Sequence, residues 1–392
     1  MNTLRLSRST IAWFAIVVAM YVAFTLVASA HQNPRIDVAM IMANNLAHGD
    51  ASLDEPPGRL DTVTRDGRAY HVVGIGPILP SLPFVPVAAL WPASRWITSL
   101  LVGLLAAGLA WPLAARYGPG GAATPWLATL GAAGTLLLPL ATQGNFYYLA
   151  HLEATACLFA ALVEWAGRRR GWVAGTFMGL AALARPTTLL ATIPFALVLL
   201  ADRERRVRGF AGFAVPVAAA VGVIGLYNLV RFGSPLESGY GLAILQSDAL
   251  IAARQAGVFS LRHVGDNLAI LVGGGFDTRA RFPYLIPSRA GHSILLTSPA
   301  LLAAVNAGFR DRTAQVLWAA AVLVLVPLLL YYGGGGFATY GYRYIMDVVP
   351  FLLALVAMGA RRQFGGTEKI LIVLSVAFCV YGAAWGAANG HF

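Results

Sequence analysis

The chain has 392 residues, of which 58% are hydrophobic and only 11% charged, and its net charge is +11. A soluble domain carries about 25% charged residues, so this composition excludes an ordinary soluble enzyme and points to an all-α polytopic membrane protein. The apolar runs are continuous rather than alternating, which argues against a β-barrel, and the basic excess sits largely as Arg in short loops, as topology selection produces, so nucleic acid is not an expected partner.

Hydropathy along the chain predicts about eleven spans: 11–30, 96–115, 122–142, 147–166, 172–184, 187–201, 209–230, 292–308, 314–332, 344–360 and 370–388, within a single domain over 1–392. The first run follows Arg5 and Arg8 like a signal peptide, but it is long for one and is read as an uncleaved first helix. Residues 74–92 are apolar enough to span, yet they carry Pro77, Pro80, Pro83, Pro86 and Pro92. Each interior proline removes a backbone hydrogen bond that lipid cannot replace. Leaving this segment out of the count puts Arg116, Arg168 to Arg170, Arg203 to Arg208, Arg310, Arg312, Arg361, Arg362 and Lys369 on the side of the N-terminus. That is the positive-inside pattern with a cytoplasmic N-terminus. The segment is therefore predicted to be juxtamembrane or re-entrant on the outer face; a true span, offset by a miscounted hairpin elsewhere, is the alternative. The pair at 172–201 is short for two full crossings and is read as a helical hairpin that reaches only part-way.

Two long outer loops result, about 31–95 and about 231–291, each well beyond an ordinary connection and expected to carry juxtamembrane helices. Cys157 and Cys379 lie in apolar runs and read as core residues. There is no P-loop, GxSxG or CxxC motif.

The polar residues of interest gather on the outer side. Asp37 follows the first span, where a carboxylate is costly unless solvated or paired; it is a candidate catalytic group, or else a cap for the short helix after it. His71 lies in the same loop. His151 and Glu153 open the fourth span and are candidates to pair with Asp37, to orient an acceptor, or to bind a divalent metal, although no spacing here resembles a strong metal motif. Arg185 sits at the tip of the short hairpin, Arg231 and Tyr240 follow the seventh span, and Arg343 and Tyr344 lead into the tenth. Arginines persisting in short outer loops suit a phosphate diester, or snorkel to headgroups.

The layout resembles the GT-C superfamily of integral-membrane glycosyltransferases, in the branch of protein mannosyltransferases and aminoarabinose transferases. Similar stretches are Asp37 with the Ala- and Leu-containing helix after it, Asp66-Gly67-Arg68-Ala69-Tyr70-His71 leading to Gly76-Pro77, Leu183-Ala184-Arg185-Pro186-Thr187, Tyr227 to Tyr240, and Tyr340-Gly341-Tyr342-Arg343-Tyr344. The chain departs from the branch in lacking an acidic neighbour to Asp37 and a Lys-Pro-Pro in the first loop. The resemblance implies an inverting sugar transferase of the bacterial plasma membrane. It would use a polyprenyl-phosphate sugar donor, act on a glycan, lipid or protein acceptor at the outer face, and employ Asp37 as general base. Arg343, Arg185 and Arg231 would hold the donor phosphate; His151, Glu153, His71, Tyr240 and Tyr344 would meet acceptor or sugar. A transporter or lipid flippase is the competing class, but it predicts repeat symmetry and midplane charges, and the polar groups here cluster at one face.

Overall fold

The computed structural model describes residues 7–31, 38–53, 61–88, 94–202, 206–245, 247–334 and 339–390. Six helices among them are long and apolar enough to cross a membrane: Arg8–His31, Ser94–Tyr117, Phe146–Ala166, Arg206–Phe232, Arg312–Leu330 and Gly366–Asn389. They mark a multi-pass membrane protein.

Six, not eleven, is therefore the number of full-length apolar helices, and the chain itself shows why. The stretch 122–142 breaks at Gly134 into helices Ala123–Ala133 and Leu137–Ala141. The hairpin at 172–201 comprises a 14-residue helix, Gly171–Ala184, then a 3-10 turn that opens at Pro186 and a 10-residue helix, Thr192–Ala201. The stretch 292–308 is mostly a 3-10 helix beginning at Pro299, and 344–360 divides into a 3-10 turn, Arg343–Asp347, and helix Val349–Gly359. Gly134 ends the first of these helices, and the prolines at the later restarts, Pro186, Pro299 and Pro350, cannot donate to a preceding turn, so apolar runs of spanning length need not form spanning helices. Residues 76–84 are likewise a 3-10 helix, with Pro80 and Pro83 inside it, followed by the short helix Val85–Ala88.

Helix Phe146–Ala166 occupies the centre: 78% of its apolar window is buried, against 11% for helix Arg206–Phe232, whose outer flank presents Val215, Val223 and Val230 outward. Asn145 starts the central helix by accepting a hydrogen bond from the Tyr147 amide at 2.9 Å, which satisfies one of the free N–H groups of the first turn. Its two ends differ in character. Near its end, Arg116 donates to the Val163 carbonyl, Arg361 donates to the carbonyls of Arg116 and Gly118, and Arg170 forms a bidentate pair with Glu164. Its first turns face a cavity. A 21-residue helix is about 30 Å long, so basic end and cavity lie a membrane thickness apart.

The hairpin that carries Arg185 is fixed to helix Arg206–Phe232 by glycines one turn apart. A Cβ on Gly171 would lie 2.4 Å from the Gly209 carbonyl oxygen, one on Gly175 would lie 2.3 Å from that of Phe213, and Gly179 faces Pro216 and Ala220. Small residues four apart let two helix backbones touch, which is how apolar helices gain contact without a hydrophobic driving force between them. A second close approach seats the first outer loop on the hairpin tip: a Cβ on Gly76 would collide with Ala184 at 2.3 Å.

The loop regions add two small β-hairpins to an otherwise α-helical chain. Thr62–Arg65 pairs antiparallel with Arg68–His71, Thr62 opposite His71. Asp66 and Gly67 turn it with φ of 52° and 74°, the left-handed pair that matches strand twist. The second loop joins its edge: Asp61 donates to the Ile244 carbonyl and Ile244 donates to that of Thr62. That loop also carries helices Asp248–Gln255 and Val264–Gly273.

Candidate functional site: a cavity with three guanidinium groups

A cavity of about 640 Å³ opens between the outer loops, the hairpin tip and helix Arg206–Phe232. One wall is apolar and belongs to that helix, from Val221 to Leu229. Val221, Leu226 and Leu229 line the cavity and keep much of their surface accessible. The opposite wall is polar. Arg185, Arg343, His151, Tyr240 and Tyr344, with Arg231 from the end of helix Arg206–Phe232, all singled out in the sequence, supply it together, although they come from separate stretches of chain.

Arg343 and Arg185 flank one aromatic ring, each guanidinium carbon 5.2 Å from the centre of Tyr344. Arg343 also lies 5.8 Å from the ring of Tyr147 and 5.9 Å from that of Tyr148. Its Nη2 reaches the Tyr344 hydroxyl at 3.4 Å, while its Nε is buried with no hydrogen-bond partner among the described residues. A buried donor left unpaired costs on the order of 1–3 kcal/mol, so this edge is suited to an acceptor that arrives from outside.

Arg185 donates from Nε to Asp347 Oδ2 at 2.9 Å, and Asp347 Oδ1 lies 2.8 Å from His151 Nδ1. The Asp347 side chain is fully buried and also accepts from the Thr187 hydroxyl at 3.3 Å. Arg231 is engaged differently. It is 1% exposed, and it donates to the carbonyls of Tyr227, His71 and Val73 and to Asn228 Oδ1. Tyr227 and Phe232 cover its guanidinium at 3.9 and 4.5 Å. It ties the first loop to the membrane helix and adds charge to the wall.

His71 backs this wall rather than lining it. Its Nδ1 accepts from the Val73 amide, leaving Nε2 facing the Tyr147 hydroxyl at 3.4 Å. Burial, helped by the Arg231 charge, pushes its pKa down to about 3. Glu153 is buried in the bundle away from the cavity, its Oε2 unpartnered among the described residues. Asp37 lies outside the described residues, as do Asp54 and Glu55. Among the described residues no three His, Cys, Asp or Glu side chains converge in a way that would hold a metal ion.

Two carboxylates at the site escaped the sequence reading. Asp61 lines the cavity close to Tyr147 and Arg343. Burial raises its pKa above the ordinary Asp value, with Tyr147 and Arg343 opposing. It holds a left-handed backbone, φ 55°, a conformation that costs energy in any residue but glycine and is least costly for Asp and Asn; bonds to Ile244 and Val72 pin it on both sides. No local pattern marks it. Asp347 did carry a signal, as an acid inside the apolar run Ile345-Met346-Asp347-Val348-Val349, which is a functional candidate by default. Among the described residues, counting the histidines as neutral, the three guanidiniums of the lining have two carboxylates beside them, Asp61 in the lining and Asp347 behind it. No protein-family model matches this chain, and no curated protein matches it significantly.

Proposed function

We propose that the protein is a glycosyltransferase that moves a sugar from a polyprenyl-phosphate donor to an acceptor hydroxyl at the outer face of a bacterial plasma membrane. The observation that carries this reading is the cavity, in which an apolar wall open to the flank of the bundle meets three guanidiniums. The lipid chain lies along Val221 to Leu229, and the phosphate meets Arg343 and Arg185. His151, Tyr240 and Tyr344 face sugar or acceptor. The basic end of the bundle, opposite the cavity, faces the cytoplasm under the positive-inside rule.

The reaction forms a bond between the acceptor oxygen and the anomeric carbon and breaks the bond from that carbon to the phosphate oxygen, which leaves with the electron pair. The arginines stabilise the charge that builds on the leaving phosphate. The acceptor proton passes to Asp37, the general base that the sequence resemblance implies. Base and leaving group on opposite faces of the sugar invert the anomeric carbon.

The test is transfer of labelled sugar from polyprenyl-phosphate donors to cell-envelope acceptors, in membranes with wild-type protein or Asp37→Asn at equal level. Transfer by the wild type, and its loss by at least a hundredfold in Asp37→Asn, is the expected result. Equal transfer in both removes Asp37 from the mechanism. No transfer with any donor, together with lipid flipping in reconstituted vesicles, replaces the transferase with a transporter.

A further inference from the structure

We infer that Asp347 is a positioning residue: it grips the Nε edge of Arg185 and the Nδ1 edge of His151, so that the terminal nitrogens of Arg185 and the Nε2 of His151 serve the cavity. The inference rests on the transferase reading above and deepens it by assigning the orientation of the phosphate-binding group.

The three partners come from distant parts of the chain: the central helix, the hairpin tip and the 3-10 turn Arg343–Asp347. Among the described residues Asp347 is the one carboxylate that meets both others, at 2.8 and 2.9 Å, and none of its own surface is exposed. Both of its partners line the cavity. Arg185 donates to the carboxylate through Nε, and no hydrogen bond within the described residues engages its terminal nitrogens. A guanidinium held by one edge keeps a fixed plane and still offers further donors, which suits a phosphate. His151 donates from Nδ1 to the same carboxylate, which fixes the tautomer and leaves Nε2 as an acceptor for a hydroxyl hydrogen. Among the described residues Arg231, Arg343 and Asp61 are the other charged groups of the lining, and none of them is hydrogen-bonded to Asp347.

A purely structural ion cluster and a positioning carboxylate make different predictions. In Asp347→Asn the local negative charge is gone while Arg185 keeps its positive charge. The ground-state anion then binds as well as before or better, while the clamp loses its fixed plane. A structural role weakens both together.

The experiment uses the full chain in detergent or nanodiscs, with a polyprenyl monophosphate as the binding probe and a polyprenyl-phosphate sugar as donor. Asp347→Asn is expected to bind the monophosphate with unchanged or up to about threefold tighter affinity, with KM for the donor moving the same way, while kcat falls at least thirtyfold. Breaking a buried pair can unfold a protein, so Asp347→Glu serves as the second variant. It keeps the charge and shifts the carboxylate by one methylene; monophosphate binding stays within twofold and kcat falls about tenfold. A kcat within twofold of wild type in either folded variant overturns the inference, as does a parallel loss of binding and kcat in Asp347→Glu. Wild-type protein that binds the monophosphate but transfers from no donor refutes the transferase and not the anchored Arg185, which the binding arm then decides: Asp347→Glu binding at least tenfold weaker sinks it. Wild-type protein that binds no monophosphate ends both.

Discussion

Arg185 and Arg231 line the same cavity, are largely or wholly buried, and are held in opposite ways. Arg185 is held by one edge, against a carboxylate, and its terminal nitrogens are left over. Arg231 spends its donors on three backbone carbonyls and an amide oxygen and lies between two aromatic rings. Residue type and exposure alone do not separate the two; the chemistry of what they already touch does. A guanidinium saturated by carbonyls is a structural cation that fastens the first outer loop to helix Arg206–Phe232. One held by a single edge is available to a ligand. Arg343, with an unpaired buried Nε and aromatic rings around it, belongs with Arg185.

The largest effect is expected at Arg343. Arg343→Gln is expected to lower transfer by about 10²–10³, the usual cost of removing one donor aimed at developing charge, with little change in the unfolding midpoint in detergent. A large loss of stability with proportionate loss of transfer would put Arg343 in the structural class instead. Arg231→Met should behave in the reverse sense. It strands the carbonyls of His71 and Val73, and with unpaired buried groups costing on the order of 1–3 kcal/mol each the loss is about 3 kcal/mol. A thermal or denaturant unfolding curve would show it, and folded protein should retain most of its kcat. An unchanged midpoint would mean that the first loop is not fastened by this residue.

His71 sharpens the structural side. Its pKa falls to about 3 in the folded protein, from about 6.5 in an unfolded chain. Between those values the unfolded state binds the proton and the folded state does not, so stability falls as pH drops below about 6.5. Lowering the pH from 8 to 5 should cost about 2 kcal/mol, and His71→Phe should flatten that slope. A wild-type midpoint independent of pH over this range would be inconsistent with a neutral buried imidazole. The smallest effect is expected at Asp61, whose raised pKa means that its ionised, hydrogen-bond-accepting form is gained only above the usual carboxylate range. Transfer should rise with pH through that region, and Asp61→Asn should be about tenfold slower with the rise removed. A mutant whose pH profile matches the wild type would assign the titration to another group.

What the sequence determined by itself is the solvent and the inventory. Sparse charge and long apolar runs require a multi-pass helical protein, because lipid cannot satisfy exposed backbone groups. The arginines at 185 and 343 are conspicuous because short outer loops ordinarily avoid them; Arg231, at the head of the long second loop, lies with them in the cavity lining, as do His151, Tyr240 and Tyr344. Hydropathy alone overcounted the long helices, since it reads apolarity and not continuity; Gly134 and Pro299 interrupt runs that it scores as whole, and the two arms on either side of Pro186 are only 14 and 10 residues long. Only the tertiary structure decided the partners. His151 meets Asp347, which lies 196 positions further on, and Asp61 is held at the cavity in a left-handed conformation by backbone bonds to Val72 and to Ile244 of the second loop. Those outcomes depend on distances between segments far apart in the chain, fixed by helix packing through Gly171, Gly175 and Gly179 and by the seat of Gly76 on Ala184. Local pattern carries no information about such distances, because periodicity reports which face of an element is buried and not what it is buried against.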